Sequence, residues 1–206
     1  MVKQGIDLSA SERAKRIIRS NGGLIKTSQA LKEGIHPRIL SVLCASGDLE
    51  KLSRGVYRLA DIPIPSDIDL ITIAMRDSKA VVCLISALSY YNITTQIPHN
   101  VSIAVKKGAK NPRIEYPPIH VYHFSNSTFN SGIEVHIIDG VSVKIYNPEK
   151  TIADCFKFRS ELGMEVVLEA LRLYKTRYKF DVNKLMEYAR ICRVYNIMYP
   201  YLESMI

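Results

Sequence analysis

Apolar residues in the first quarter of the chain recur at helical spacing and then alternate, and turn residues mark each change of rhythm. Ala14, Ile17 and Ile18 define one side of a helix over residues 12–20, with Ser11 as its cap and Asn21-Gly22-Gly23 as its end. Leu24-Ile25-Lys26 then supplies a short strand. The next helix starts behind Thr27 or Ser28, whose hydroxyls can accept a hydrogen bond from the free N–H groups of a first turn. It closes at Gly34, the residue that most cheaply takes the left-handed conformation. Pro37 suits the first position of a third helix, because an N–H there would have no partner. In that helix Ile39, Leu40 and Leu43 turn toward a core. Arg38, Ser41 and Ala45 form a small and basic face of the kind that can lie against bases in a major groove. Gly47-Asp48 turns the chain into a strand over residues 49–53, Arg54-Gly55 turns it back, and residues 56–59 return. The pattern over 27–59 is a winged helix-turn-helix.

Pro63 and Pro65 stiffen the segment that follows, which places a domain boundary at residue 61 and divides the chain into 1–61 and 62–206. Past it, Ser66 or Asp67 caps a helix running to about residue 75. The very apolar stretch 81–91 reads as a second helix, central and buried. From residue 97 the period changes to two. Strands are expected over 101–105, 119–124, 133–138 and 141–146, with loops over 106–110 and 125–132. Asp139-Gly140 between the last two strands is a strong two-residue hairpin signal. Asn147-Pro148-Glu149 then opens a helix to about residue 159, with Ile152, Ala153 and Phe156 inward. Further helices cover 162–174, a stretch begun by Asp181 or Asn183 and ending near 193, and a last segment to Ile206 that Pro200 interrupts. The fold class is therefore α+β: an N-terminal winged helix-turn-helix, then a mixed domain with a small, mainly antiparallel sheet and C-terminal helices.

Charge sharpens this picture. The net charge is +8 over 206 residues, and residues 1–61 carry 11 Lys and Arg against 6 Asp and Glu. The remaining residues carry 17 against 14, so positive charge is densest where phosphate contacts would need it. If the motif binds DNA, Arg38 and Ser41 approach the bases. Thr27, Ser28, Lys51, Arg54 and Arg58 hold phosphates, and Arg54 at the wing tip can enter a minor groove. Tyr57 belongs to the domain core. A helix-turn-helix with a hairpin also occurs in domains that bind protein, and pattern alone leaves that use open.

Candidate catalysis is sparse. His120-x-x-His123 has a metal-like look, but residues three apart on a strand point to opposite faces. His136 reads as an ordinary hydrogen-bonded histidine. Asp77-Ser78-Lys79 is the only acid-x-Lys triplet that resembles a metal nuclease, and it falls in a polar break between helices. No phosphate-cradling glycine loop, nucleophile elbow or Cys-His signature is present. Asp154 lies in an apolar helix, where a structural hydrogen bond is the simpler account. The expectation is a non-enzyme with no catalytic residues, metal or cofactor. Cys44, Cys83, Cys155 and Cys192 form no C-x-x-C pair and sit among apolar neighbours, as buried free thiols of a reducing compartment do. No apolar run is long enough to span a bilayer and the N-terminus lacks a signal-peptide core, so a cytoplasmic protein with no membrane partner is expected.

Four stretches carry a resemblance. They are SERAKRIIRSNGG at 11–23, the GDLEKLSRGVYRL wing at 47–59, VVCLISALSYYNITTQIP at 81–98 and IYNPEKTIADCFKFR at 145–159. In this order they resemble the AbiEi family, antitoxins of the type IV abortive-infection systems of bacteria. The resemblance implies a winged helix that binds inverted repeats in the double-stranded promoter DNA of its own operon and represses it. It also implies a C-terminal domain that opposes a nucleotidyltransferase toxin without a stable complex. No catalytic residues carry over. Two alternatives stay open: a stand-alone transcriptional regulator with a ligand- or protein-sensing C-terminal domain, and a nucleic-acid enzyme using Asp139, Glu149 or Asp154.

Overall fold

The computed structural model describes residues 7–205, with side chains from residue 10, and falls into two compact units. The first runs to Ser78 and takes in residues 113–117 and 137–142; the second holds the rest. The expected boundary at residue 61 therefore lies inside the first unit. The reason is α4, Ile68–Arg76, whose last residue donates to the carbonyl of Arg54 at the wing tip.

The first unit is built as its periodicity dictates. Helix α1 spans Asp7–Ser20, so Ser11 lies within it rather than capping it. Strand β1, Leu24–Lys26, pairs antiparallel with β3, Val56–Leu59, which also pairs antiparallel with β2, Leu49–Ser53. Helices α2, Thr27–Lys32, and α3, Pro37–Ala45, pack against this three-stranded sheet. Ile18, Ile25, Ala30, Leu40, Leu43 and Leu59 are buried together, and Tyr57 packs on them as expected. Gly34 is left-handed at φ +77 and Pro37 opens α3. The expected cap at Thr27 or Ser28 is not formed. Lys26 holds the cap position, and its ammonium has no lone pair with which to accept from the first turn; the Thr27 N–H donates instead to the carbonyl of Gly55, 2.9 Å away, which ties the helix start to the wing.

Past α4 the strands over 119–124, 133–138 and 141–146 appear where alternation places them. They are β6, Ile119–Phe124, β7, Ile133–Ile138, and β8, Val141–Tyr146, while β5 is Val101–Lys106. Asp139 and Gly140 both have positive φ, as a primed hairpin turn requires. The stretch 81–91 departs from expectation. Val81–Val82 is a strand, β4, paired antiparallel with β5 and parallel with β8, and only Leu84–Tyr90 is helical, as α5. β-Branched valines with a buried partner on each side favour the sheet over helix propagation. The five-stranded sheet runs β6-β5-β4-β8-β7, with β5 and β6 parallel.

The central buried helix is instead α7, Pro148–Lys157, capped by the Asn147 side chain, whose Oδ1 accepts from the Lys150 N–H at 2.9 Å. Around it pack α5, α9, Met164–Arg177, and α10, Val182–Ile191. The expected loop over 125–132 contains a short helix, α6, Asn126–Asn130, whose Phe129 is buried. A further turn, α8, is Arg159–Leu162. Helix α11, Tyr195–Glu203, runs through Pro200 without ending, and Ile206 lies outside the described residues. Among the described residues no helix is long and apolar enough to cross a membrane.

Candidate nucleic-acid interface

The outward face of α3 is set by its core face. With Leu40 and Leu43 buried, Arg38, Ser41 and Ala45 must point to solvent, and all three are exposed. His36 caps the helix, its Nδ1 accepting from the Arg38 N–H at 3.2 Å, so the residue expected to read bases stands on a fixed first turn. Ser41 Oγ donates to the carbonyl of Pro37 at 3.2 Å, which leaves its oxygen able to accept from outside. On the wing, Lys51 and Arg54 are exposed, and Arg54 occupies the tip beside Gly55, whose φ of +75 makes the tight reversal. Ser28 is exposed and Thr27 half-buried at the start of α2.

Arg58 is the correction. It is only 3% exposed, and its Nη1 donates to the carbonyl of Ile62 at 2.5 Å while Nη2 meets Glu50 Oε2 at 2.6 Å. Alternation put it on the charged face of β3, but that face is covered by the chain leaving the wing. Its charge is spent holding this crossing and is not offered to a phosphate.

Two residues that pattern reading passed over stand beside the predicted set. Lys26, read as the end of a strand, and Arg76, just past the expected end of a helix in the other domain, border a cleft with Thr27, Ser28 and Gly55. Burial, and after it the Arg76 charge, hold the Lys26 ammonium below its ordinary pKa. No sequence signal marks either residue, because their proximity depends on α4 packing back against the wing. Cys44 on α3 is partly buried, which raises its thiol pKa, while the charge of Lys51 lowers it.

The candidate catalytic residues do not form a centre. His120 stacks on Tyr122, with ring centroids 4.5 Å apart, whereas His123 bonds Asn111 at 2.9 Å. His136 bonds the Tyr91 hydroxyl at 2.9 Å. Glu149 accepts from the Tyr174 hydroxyl at 2.8 Å, and Asp154 accepts from Lys150 and, at 3.2 Å, from the Cys192 thiol. Asp139 sits in the exposed hairpin turn. Among the described residues no trio of His, Cys, Asp and Glu is grouped to hold a metal ion.

Residues 12–60 match the family described as transcriptional regulator, AbiEi antitoxin. This segment, which folds as a winged helix, is similar to the AbiEi family. The match covers α1 from residue 12, α2, α3, the sheet and the wing, and with them Lys26, Thr27, Ser28, Arg38, Ser41, Lys51, Arg54 and Arg58, but not Arg76. No curated protein matches the chain. The fold of the whole is similar to that in the crystal structure of the RV2827C protein from Mycobacterium tuberculosis. The TM-score is 0.55 at 10% identity, over 94% of this chain and 80% of that one, a likeness of fold alone.

Proposed function

We propose that the chain is a DNA-binding antitoxin: its winged helix binds inverted repeats in the promoter of its own operon and represses it, and its second unit counteracts a nucleotidyltransferase toxin in the cytoplasm. The observation that supports this is the coincidence of the AbiEi match with an exposed Arg38–Ser41 helix face and an exposed Lys51–Arg54 wing. In this reading Arg38 and Ser41 read base edges, Lys51, Arg54, Thr27 and Ser28 grip phosphates, and Arg58 only supports the wing. The mechanism is binding without chemistry and needs no cofactor.

Titration of labelled upstream DNA and of random duplex across a salt series tests the repressor half. Sequence-selective binding that weakens with salt and is reduced in Arg38→Ala and Arg54→Ala is expected. Equal affinity for both DNAs would remove it. For the other half, co-expression with a neighbouring nucleotidyltransferase gene should restore growth. If growth is not restored while promoter binding holds, a stand-alone regulator is the better account.

A further inference from the structure

Beside the wing lies a cleft of about 340 Å³ whose border includes Lys26, Thr27, Ser28, Gly55, Met75 and Arg76. Two cations reach it from different elements, Lys26 from the end of β1 and Arg76 from the end of α4. The Arg76 guanidinium meets main-chain carbonyls: Nη1 donates to Arg54 and Nη2 to Arg113 at 3.1 Å, while Nε is buried without an acceptor among the described residues. Near Lys26 the charge of Asp77 pulls the other way, but among the described residues bordering the cleft none is acidic. Thr27 and Ser28 add hydroxyls. Gly55 keeps the opening clear, since a Cβ there would stand 3.2 Å from Thr27 Oγ1 and 3.8 Å from Arg76 Nη1.

Two converging cations, two hydroxyls and a border without a carboxylate among the described residues suit a tetrahedral oxyanion. Helix α2, with six residues, is too short for its own dipole to decide the matter, so the side chains carry the argument. We propose that this cleft is a phosphate-binding site in which Lys26 and Arg76 are the charged ligands, filled by a backbone phosphate when duplex DNA lies on the winged helix. The inference rests on the DNA-binding reading and extends its footprint past the AbiEi segment to α4. It also gives Arg76 a second use, because the guanidinium that holds the wing tip through the Arg54 carbonyl would touch the same DNA strand.

The test uses the full chain, with Lys26→Met, which keeps the apolar stem, and Arg76→Gln, which keeps a donor for the two carbonyls. Thermal melts first establish that each variant is folded. Affinity for a random 30-bp duplex is then measured across salt, alongside Arg54→Ala. Each cleft variant is expected to lower the slope of log affinity against log salt by about 0.9, the value for one lost phosphate contact, and to weaken random and promoter DNA alike. If Arg54→Ala weakens binding while both cleft variants keep the wild-type slope, the phosphate site is wrong and the DNA-binding reading survives. If the wild type binds no duplex, the DNA-binding reading fails, and melts in inorganic phosphate against chloride at equal ionic strength decide the cleft. Stabilisation by phosphate that Lys26→Met abolishes would retain the site for a free phosphate; its absence would overturn the proposal.

Discussion

Lys150 and Asp154 form an ion pair one turn apart on α7, and neither side chain has any exposure to solvent. The ammonium also lies over the Tyr146 ring, 4.1 Å from its centroid, and over Phe124 at 5.0 Å. The Cys192 thiol donates to the other carboxylate oxygen. Burial raises the pKa of the Asp154 carboxyl and the Lys150 charge opposes that rise. Removing one partner leaves an uncompensated buried charge. Lys150→Met is therefore expected to cost about 3–5 kcal/mol in urea unfolding, and joint replacement of Lys150 and Asp154 by Met and Leu to cost less than the single change. A double variant as unstable as the single one would contradict this.

The two wing arginines should separate cleanly. Arg58→Ala removes charged hydrogen bonds to Ile62 and Glu50 from a buried site and should lower stability by about 2 kcal/mol. Arg54→Ala removes an exposed side chain and should leave the melting temperature within a degree or two of wild type while weakening DNA binding. Melting curves and a binding titration on the same two preparations compare them directly.

Thiol chemistry offers a third check. Burial pushes the Cys83, Cys155 and Cys192 thiols far above their ordinary pKa, and Cys44 is only partly covered. At pH 8 a disulfide reagent should modify Cys44 alone in the native protein and all four cysteines in denaturant. Fast native reaction at more than one site would mean that the second unit opens.

Glycine positions give a fourth. A Cβ on Gly132 would stand 2.6 Å from Lys150 Cβ, with φ at +73, so Gly132→Ala combines backbone strain with a clash against α7. Gly140→Ala, with nothing within 4 Å and φ at +80, carries the strain alone. The expected costs are more than about 3 kcal/mol for the first and about 1 kcal/mol for the second, read as the difference in denaturation midpoints.

Acid should act through Glu169. The Thr95 hydroxyl, 2.6 Å from Oε1, leads the interactions that hold this carboxyl below its ordinary value, with the Thr95 N–H and the Thr94 hydroxyl adding to it. A carboxyl depressed in the fold stabilises above its unfolded value, and that contribution fades as pH falls through the folded one. Below pH 4 the loop at Thr94–Thr95 should lose amide-exchange protection in wild type. Glu169→Ala should show the lower protection already at pH 6.

The winged helix was legible because its signals are local. Period-3.6 spacing of Leu40 and Leu43, Pro37 at a helix start, Gly34 at a helix end and Arg54-Gly55 between alternating strands each depend on a few neighbouring residues. Asp139-Gly140 and the strands beside it were readable for the same reason. These local rules, with the density of Lys and Arg, also named Arg38, Ser41, Lys51 and Arg54 as exposed candidates. What the chain could not disclose alone depends on distant partners. Val81–Val82 is a strand because β5 and β8 flank it, Arg58 is buried because the chain leaving the wing returns over it, and Arg76 joins Lys26 because α4 packs back against the wing. Periodicity states which face of an element is apolar. Which face a neighbour then covers, and which charge it brings alongside, is fixed only when the elements pack.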